Sequence, residues 1–353
     1  MANYGISYLG SKDAIIHKLA PLFPKADNFY DLFGGGFAVS HFMVLHKATN
    51  YKKISYNEIK TDIVELVRDA IAGKYNYDVF KPKWISRDEF DKNKTHCAYT
   101  RCLWSFGNNQ KDYLFSEANE KNKKSLHNAV VFNEFDDLAK SFLNLDSFLP
   151  HLSIRGRRLL CRNIIMERIG EIEQLQHLLR LEQLEQLERL QQLERLQRLQ
   201  RLEFSSKSYD EIEILPNSVV YCDPPYKGTT GYLSSFDHDR FWNWVRRQNN
   251  PVFVSEYEAP QDIKTIAAFN KKTRLSAKGM TDTKPEKLFG NDAANLTAHK
   301  PDLVYSFREP APKADVILKE PNLTLCPNCK VIIETENNHH SPPKPKTRLN
   351  KLF

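Results

Sequence analysis

A short apolar run that leads directly into an acidic, proline-containing tetrapeptide constrains the fold of this chain most. Val219 to Cys222 has the length and composition of one buried strand, and Asp223-Pro224-Pro225-Tyr226 follows it without a spacer. In open α/β sheets, ligands bind beyond the carboxyl ends of the strands, so this strand would deliver the tetrapeptide to a binding crevice. The alternative is an ordinary turn, because Asp and Pro favour turns.

The residue types in this tetrapeptide suit chemistry on an amino group. The amine of a nucleobase is a weak nucleophile because its lone pair is delocalised into the ring. The Asp223 carboxylate and the Pro224 carbonyl can accept its two hydrogens, while Pro224 and Pro225 fix the loop. Tyr226 can stack on the base, which must first leave the duplex. The tetrapeptide therefore predicts methylation of an amino group on a flipped base.

A glycine-rich turn near the amino terminus predicts a nucleotide-type cofactor site. Asn28 to Ser40 has the pattern of a short strand, a glycine-rich turn at Gly34-Gly35-Gly36 and the apolar start of a helix. Glycines let the backbone approach a ligand, and the helix start offers free N–H groups. A second strand-like segment, 53–57, runs into Glu58, whose carboxylate can bind ribose hydroxyls. Taken alone, the glycine run is also compatible with a simple turn.

These motifs together resemble the DNA adenine-N6 methyltransferases of the Dam-like D12 class. Tyr8-Leu9-Gly10-Ser11-Lys12 matches the family's amino-terminal motif, and the order of motifs is also the family's. The resemblance covers roughly 6–308. It implies an α/β fold, with a Rossmann-like S-adenosylmethionine-dependent sheet and an inserted, mainly helical target-recognition domain. One residue departs from the pattern, since Phe37 stands where many members have a further glycine.

The resemblance implies a role for each motif residue. The implied ligands of S-adenosylmethionine are Tyr8, Lys12, Asp31, Phe33, Gly34, Glu58, Asp210 and Asp223, with Asp62 at the family's distance after Glu58. The implied catalytic residues are Asp223, Pro224, Pro225 and Tyr226. Asp210 is equally suited to cap the next turn. No catalytic metal is expected.

The implied reaction is direct methyl transfer to a flipped adenine at specific sites in double-stranded DNA. Two alternatives remain open. The same tetrapeptide suits an amino-methyltransferase that acts on cytosine N4 or on adenine in RNA. The chain is also compatible with a catalytically silent DNA-binding protein.

Two segments of the insertion are candidate DNA contacts. Residues 99–110 are rich in aromatic and amide side chains, which can read base edges or fill the gap left by a flipped base. The resemblance places four of these near the active site: Ser105, Phe106, Asn108 and Asn109. The alternative is a helix that ends at Gly107, with Trp104 and Phe106 in the core. Further along, four arginines occur within eight residues, and Arg155, Arg157 and Arg158 are the candidate phosphate contacts. A solvated helix face is the alternative there.

Leucine recurs at every third residue from Leu181 to Leu202, with Glu, Gln and Arg between. On an α-helix each leucine is displaced by about 60° from the last, so the stripe winds around the helix. A coiled coil needs an average spacing of about 3.5 residues. We therefore expect a helix without a single apolar face, produced by repeat expansion, whose removal spares the chemistry. Self-association through the repeat is the alternative.

These features divide the chain into four parts. We expect a catalytic domain of residues 1–73 and 204–308, a target-recognition insertion of 74–170, the repeat helix of 171–203 and a Pro- and Lys-rich tail of 309–353. The tail contains Cys326 and Cys329 in a CxxC spacing, which is half of a zinc site. The alternative for the tail is nonspecific contact with DNA.

The composition suits a nucleic-acid partner. Lys and Arg total 51 against 44 Asp and Glu, which gives a net charge of +7. The six cysteines form no disulfide framework, and no apolar run approaches about 18 residues. We therefore expect a cytoplasmic, monomeric protein without a signal peptide or a membrane partner. A cognate restriction endonuclease is a candidate partner.

Overall fold

A computed structural model describes residues 4–169, 178, 180–198, 201–227, 236–269 and 285–298, and the backbone of 322–325 and 332–335. The chain forms two compact units, one of Met1–Ala118 with Leu181–Phe307 and one of Asn119–Arg180 with Arg308–Phe353. The segment 74–118 and the leucine repeat therefore belong to the same unit as the amino-terminal motifs. The candidate zinc ligands Cys326 and Cys329 lie outside the described residues.

A mixed sheet organises the first unit. Its described strands are β1 (Asn28–Asp31), β2 (Lys53–Asn57), β3 (Leu202–Ser205), β4 (Ser218–Cys222), β5 (Val252–Glu256), β6 (Lys264–Phe269) and β7 (Glu286–Gly290). In the described part of this unit, the seven strands have the order β3-β2-β1-β4-β5-β7-β6. Neighbouring strands along β3-β2-β1-β4-β5 are parallel, and β7 is antiparallel to both β5 and β6. This sheet confirms the predicted α/β class.

The register of the central strands brings polar residues to one edge of the sheet. The strands β1, β4 and β5 are buried along their whole length, as expected for parallel strands covered on both faces. Asp31 is paired with Tyr221, so the β1 carboxylate and the tetrapeptide after β4 leave the sheet together. Because β7 runs the other way, its first residue, Glu286, reaches the same edge as the last residue of β5, Glu256.

Helices connect the strands of the first unit. The described helices of this unit are α1 (Ile16–Leu19), α2 (Ala38–His46), α3 (Thr61–Ile71), α4 (Arg87–Asn93), α5 (Ala98–Leu103), α9 (Glu182–Gln192), α10 (His238–Arg246) and α11 (Asp292–Thr297). Ser86 caps α4 in a reciprocal capping box with Glu89, Asp237 caps α10, and Asn291 caps α11. No described helix of the chain is both long enough and apolar enough to cross a bilayer.

The leucine repeat forms part of the core of the first unit. Its leucines from Leu181 to Leu196 are all 0–3% exposed, and α9 packs against α3 and α5. The expectation that no face of the repeat stays apolar is therefore wrong. The reason is that α9 ends at Gln192 and a 3-10 helix, Leu193–Arg198, follows it. A 3-10 helix has about three residues per turn, so residues three apart stay on one side. The last leucine, Leu202, begins β3 rather than continuing a helix.

Helices dominate the described part of the second unit. They are α6 (Glu117–Phe132), which begins at the unit boundary, α7 (Asp137–Leu143) and α8 (Ile154–Ile169). Strands β8 (Asn322–Leu325) and β9 (Ile332–Thr335) pair antiparallel. Asp136 caps α7 and also accepts a hydrogen bond from Ser125 Oγ on α6.

Candidate functional site

A cavity of about 290 Å³ opens at the carboxyl ends of β1, β2 and β4 in the first unit. This volume is at the lower end of the range for small-molecule sites. The structure brings most of the predicted cofactor ligands together in its wall: Tyr8, Lys12, Asp31, Phe33, Gly34, Glu58 and Asp223. Pro225, from the tetrapeptide after β4, also lines the cavity.

The glycine turn is pressed against aromatic side chains. A Cβ atom on Gly34 would lie 2.2 Å from the Tyr56 ring, and one on Gly36 would lie 2.4 Å from Tyr8 Cβ. The turn is also tied to β2, because Gly35 N donates to Glu58 Oε2 at 2.9 Å and Tyr56 OH donates to Gly35 O at 2.8 Å. Only glycine fits at Gly34 and Gly36, and the turn presents bare backbone to the cavity.

Phe37 adopts a left-handed conformation, with φ of 68° and ψ of 11°. This conformation is sterically unfavourable by about 1–2 kcal/mol for a residue other than glycine. The Phe37 ring is fully buried and contacts the Tyr56 ring edge-on at 5.0 Å between centroids. Burial of a phenylalanine ring contributes roughly 1.5–3 kcal/mol, which offsets that cost. The departure at this position therefore preserves the backbone shape that a glycine would adopt.

Asp31 ends β1 with a buried carboxylate in the cavity wall. Its Oδ2 accepts hydrogen bonds from Ser40 N at 3.2 Å and from Ser40 Oγ at 2.7 Å. Among the described residues, none lies within hydrogen-bond distance of its Oδ1. Burial foremost, with the nearby Asp223 charge, raises the pKa of Asp31 to about 7 against the lowering effect of Ser40. A buried acceptor of this kind suits a cationic or N–H-bearing ligand.

Glu58 holds the glycine turn and the start of the next helix. Its two oxygens accept from Gly35 N at 2.9 Å and from Lys60 N at 3.1 Å. Burial raises the pKa of this carboxyl, and the two backbone hydrogen bonds oppose that shift. Each carboxylate oxygen keeps a second lone pair, so Glu58 is able to accept from a ligand hydroxyl as well.

Lys12 joins the amino-terminal motif 8–12 to the tetrapeptide after β4. Its Nζ lies 2.5 Å from Asp223 Oδ2 and 3.3 Å from Glu286 Oε1, and it donates to Gly10 O at 3.1 Å. Burial alone would lower the pKa of Lys12, but the charges of Asp223 and Glu286 outweigh it and the pKa is raised. Lys12 is therefore a permanent cation at this position.

Tyr226 is held from two sides. Its hydroxyl donates to Glu286 Oε1 at 2.9 Å, and its ring meets the Tyr257 ring edge-on at 4.8 Å. Lys12 Nζ lies 5.1 Å from the centroid of the same ring. Pro224, two residues before Tyr226, is buried. The orientation of the aromatic ring in the tetrapeptide is thus determined by residues distant in sequence.

Sequence reasoning did not identify two buried glutamates beside the tetrapeptide. Glu286 contacts Lys12 and Tyr226, and Glu256 accepts from Lys227 N at 3.2 Å. Glu256 ends β5, and its position just after the apolar run Val252-Phe253-Val254 was the available signal. Glu286 begins an antiparallel strand, which no local pattern marks as part of a site.

Two carboxylates named from the resemblance do not line the cavity. Asp210 pairs with Arg240 of α10 and accepts from Ser208 Oγ at 2.5 Å. Its neighbour Tyr209 lines the cavity instead. Asp62 pairs with Arg101 at 2.6 Å. Both carboxylates are thus engaged with arginines of the same unit.

Residues 105–112 form a tight turn in the first unit. Ser105 is paired with Tyr113, and Gly107, Asn108 and Gln110 all have positive φ angles. Asn109 stabilises the turn, because its Oδ1 accepts from Asp112 N at 3.0 Å. The alternative interpretation of this segment is half correct, since Trp104 is buried but Phe106 is 57% exposed. None of the residues 105–112 lines the cavity.

The three candidate phosphate contacts lie on α8 of the second unit and differ in exposure. Arg155 is exposed, Arg157 is half-buried and Arg158 is buried. Burial lowers the pKa of Arg157. The further arginine of the cluster, Arg162, is exposed. Exposure therefore favours Arg155 and Arg162 for contact with a polyanion.

The chain matches the model of a protein family and is similar to a curated protein. The model of the family described as D12 class N6 adenine-specific DNA methyltransferase matches residues 8–244. The type II methyltransferase M.FokI of Planomicrobium okeanokoites is 25% identical over 263 residues, which are 69% of this chain and 32% of that protein. The chain thus spans about a third of the length of this relative.

Among solved structures, the chain is similar to the rRNA methyltransferase aviRa from Streptomyces viridochromogenes. Two structures of that protein match with TM-scores of 0.30 and 0.29 and identities of 11% and 12%. They cover 81% of this chain, and 86% and 84% of their own chains. A similarity at these scores supports no conclusion about fold or activity.

Proposed function

The chain belongs to the D12 class N6 adenine-specific DNA methyltransferases, as its motifs predicted, and we propose that it methylates the N6 amine of adenine in double-stranded DNA. The observation that carries the proposal is the shared wall of the cavity. Asp31 and the glycine turn lie on its cofactor side, Asp223 lies on its catalytic side, and Lys12 links the two. A methyl donor and an amine bound in these places would be neighbours.

S-adenosylmethionine is the methyl donor that the family implies, and the residues present fit it. The bare glycine turn around Gly34 accommodates a close ligand, and the aromatic rings of Tyr8 and Phe33 border the same space. Asp31 Oδ1 suits the amino group of the methionine part, and Glu58 suits the ribose hydroxyls. When bound, the cofactor supplies an electrophilic methyl group on a sulfonium.

The tetrapeptide would hold and orient the target amine. Asp223 Oδ1 and the carbonyl of Pro224 accept the two amine hydrogens, which localises the nitrogen lone pair for in-line attack. Pro225 stiffens the loop, and Tyr226 stacks on the flipped base. The proton of the methylated amine leaves to solvent. Lys12 acts indirectly, because it fixes Asp223 in place.

We propose DNA contacts in both units. The insertion 74–170 would recognise the target, with Asn108 and Asn109 near the base and, of the three candidate arginines, the exposed Arg155 on a phosphate. Phe106 is exposed at a turn with three positive φ angles, which supports a contact of this turn with the target base. The repeat of 171–203 would support the catalytic domain of 1–73 and 204–308, and the tail of 309–353 would lie outside it.

We propose a monomeric protein that acts in the cytoplasm, where its DNA substrate is. Similarity to a type II methyltransferase supports a role beside a cognate restriction endonuclease.

Nucleoside analysis tests the proposed reaction. The purified protein is incubated with labelled S-adenosylmethionine and unmethylated bacterial DNA, and the digested nucleosides are separated. We expect label in N6-methyladenine. DNA that the protein has already treated with unlabelled cofactor should take up no further label if methylation is site-specific. Label in N4-methylcytosine, or only in RNA, would show that the substrate is not adenine in DNA. No label in DNA or RNA would favour a catalytically silent DNA-binding protein.

A further inference from the structure

Glu286 lies outside the family match and outside every sequence motif, yet it is buried beside the tetrapeptide. The family model ends at residue 244, and Glu286 is the first residue of β7. Its side chain is only 4% exposed. A buried carboxylate is costly unless charged or hydrogen-bonding partners compensate it, so the partners of Glu286 indicate what it does.

Two partners of Glu286, Tyr226 and Lys12, belong to the proposed catalytic region. Its Oε1 accepts the hydrogen bond of Tyr226 OH at 2.9 Å, and Lys12 Nζ lies 3.3 Å from the same oxygen. Lys12 supplies the opposite charge that a buried carboxylate needs. The hydrogen bond from Tyr226 is therefore made to a charged acceptor, which is the stronger and more directional kind.

From this geometry we infer that Glu286 is a positioning residue, which holds the Tyr226 ring in the orientation that stacks on the target base. The inference rests on the proposed function. A tyrosine ring is free to rotate about two side-chain bonds, and an anchor at its hydroxyl removes that freedom. The Tyr257 ring, 4.8 Å away, limits the same ring from another side. Small losses of alignment at a reacting centre lower the rate strongly.

The backbone of Glu286 is itself held firmly. In the antiparallel pair, Lys287 lies opposite Glu256, so the start of β7 is fixed at the end of β5. The next inward residues of the strand, Leu288 and Phe289, are buried in the core. A positioning group on a paired, buried strand is more rigid than one on a loop. Glu286 is therefore far from the predicted motifs in the sequence but contacts them in the folded protein.

A double-substitution experiment distinguishes positioning from a purely structural role. The variants are Glu286→Ala, Glu286→Gln and Tyr226→Phe, together with both Glu286 changes in the Tyr226→Phe background. The measurements are kcat on unmethylated bacterial DNA, the KM for DNA and the Kd of S-adenosylmethionine. The matched controls are Asp292→Ala and Asp292→Asn, which remove an exposed carboxylate just beyond the other end of β7.

We expect Glu286→Ala to lower kcat by roughly 10- to 100-fold, the usual effect of losing a hydrogen bond to a charged group. The Kd of S-adenosylmethionine should change by less than about threefold, because Glu286 acts through Tyr226. Glu286→Gln keeps an acceptor and should recover part of the loss. In the Tyr226→Phe background, the effect of either Glu286 change should shrink to about threefold or less. The Asp292 controls should match the wild type.

The outcomes separate the two proposals. A wild-type protein without methylation activity would remove the proposed function, and the role of Glu286 with it. An active wild type with a Glu286→Ala variant within twofold of it would contradict the role of Glu286 alone. An undiminished loss in the Tyr226→Phe background would also contradict it. If Glu286→Ala does not fold, Glu286→Gln decides, and an unchanged kcat in that variant would overturn the inference.

Discussion

Lys12 Nζ lies 2.5 Å from Asp223 Oδ2, and their side chains are 4% and 19% exposed. This ion pair joins the amino-terminal motif to the tetrapeptide after β4, although the two lie far apart in the sequence. The two motifs are therefore parts of one site, and the charge of each depends on the other. A lysine in this position has a structural task in addition to any contact with a cofactor.

Replacement of Lys12 should destabilise the protein strongly. Lys12→Ala would leave Asp223, Glu256 and Glu286 close together without their shared cation, and loss of one partner of a buried pair costs about 3–5 kcal/mol. Denaturant unfolding measures the effect. Lys18→Ala, at an exposed position of α1, is the control and should change the free energy of unfolding by less than about 0.5 kcal/mol. Equal stability of the two variants would contradict the prediction.

The stability of the protein should fall as Glu256 ionises. Burial foremost raises the pKa of Glu256 to about 7, and the Asp223 charge adds to this shift. Hydrogen bonds from Tyr257 N and Lys227 N act in the opposite direction. The folded state therefore holds this proton more tightly than the unfolded chain, whose value is 4.5. The stabilisation is fully present below about pH 4.5 and is lost as the pH rises through about 7.

Comparison with Glu256→Gln isolates this effect, because glutamine does not titrate. Between pH 4.5 and 7, the free energy of unfolding of the wild type should decline relative to the variant by up to about 1.4 kcal/mol per pH unit. Glu258→Gln, at an exposed position after β5, should follow the wild-type curve. Parallel curves for the wild type and Glu256→Gln would show that Glu256 titrates normally.

The leucine repeat should be essential for stability. Leu190 is fully buried, so Leu190→Ala should cost about 2–5 kcal/mol through lost burial and a cavity. Gln192→Ala, exposed near the end of α9, should change stability by less than about 0.5 kcal/mol. Chemical denaturation compares the two. A small effect of Leu190→Ala would support the earlier expectation that the repeat is dispensable.

Arg155 and Arg158 should differ in their effects on DNA binding. Arg155 is exposed, so Arg155→Ala should reduce the slope of log K against log salt by about 0.9, the value for one phosphate contact. Arg158 is buried, so Arg158→Ala should lower stability and leave the slope unchanged. Fluorescence anisotropy on a labelled, unmethylated duplex measures both slopes. A slope that changes only with Arg158→Ala would contradict this assignment.

Local patterns were sufficient to predict the catalytic side of the fold. The strands β2 and β4 were predicted at 53–57 and 219–222, and the structure has them at Lys53–Asn57 and Ser218–Cys222. The polar residues that follow parallel strands necessarily meet at one edge of the sheet. The family resemblance named Asp31, Glu58 and Asp223 as ligands of one cofactor, and the structure places all three around one cavity.

Long-range packing determined the features that the sequence did not predict. The switch from α9 to a 3-10 helix keeps the repeat leucines on the core side, and no propensity signals it. The left-handed Phe37 is tolerated because its ring is buried against Tyr56, a residue of another strand. Glu286 joins the site through antiparallel pairing of β7 with β5. Each of these depends on contacts between residues far apart in the chain.

A paired assay of Asp223→Ala and the wild type tests whether Asp223 acts on the target amine. Binding of S-adenosylmethionine is followed by calorimetry, and N6-methyladenine formation is followed by nucleoside analysis of unmethylated DNA. If Asp223 acts on the target amine, the variant should bind the cofactor with a Kd within about threefold of the wild type and form no detectable N6-methyladenine. Retained methylation by Asp223→Ala would contradict the assignment of this site.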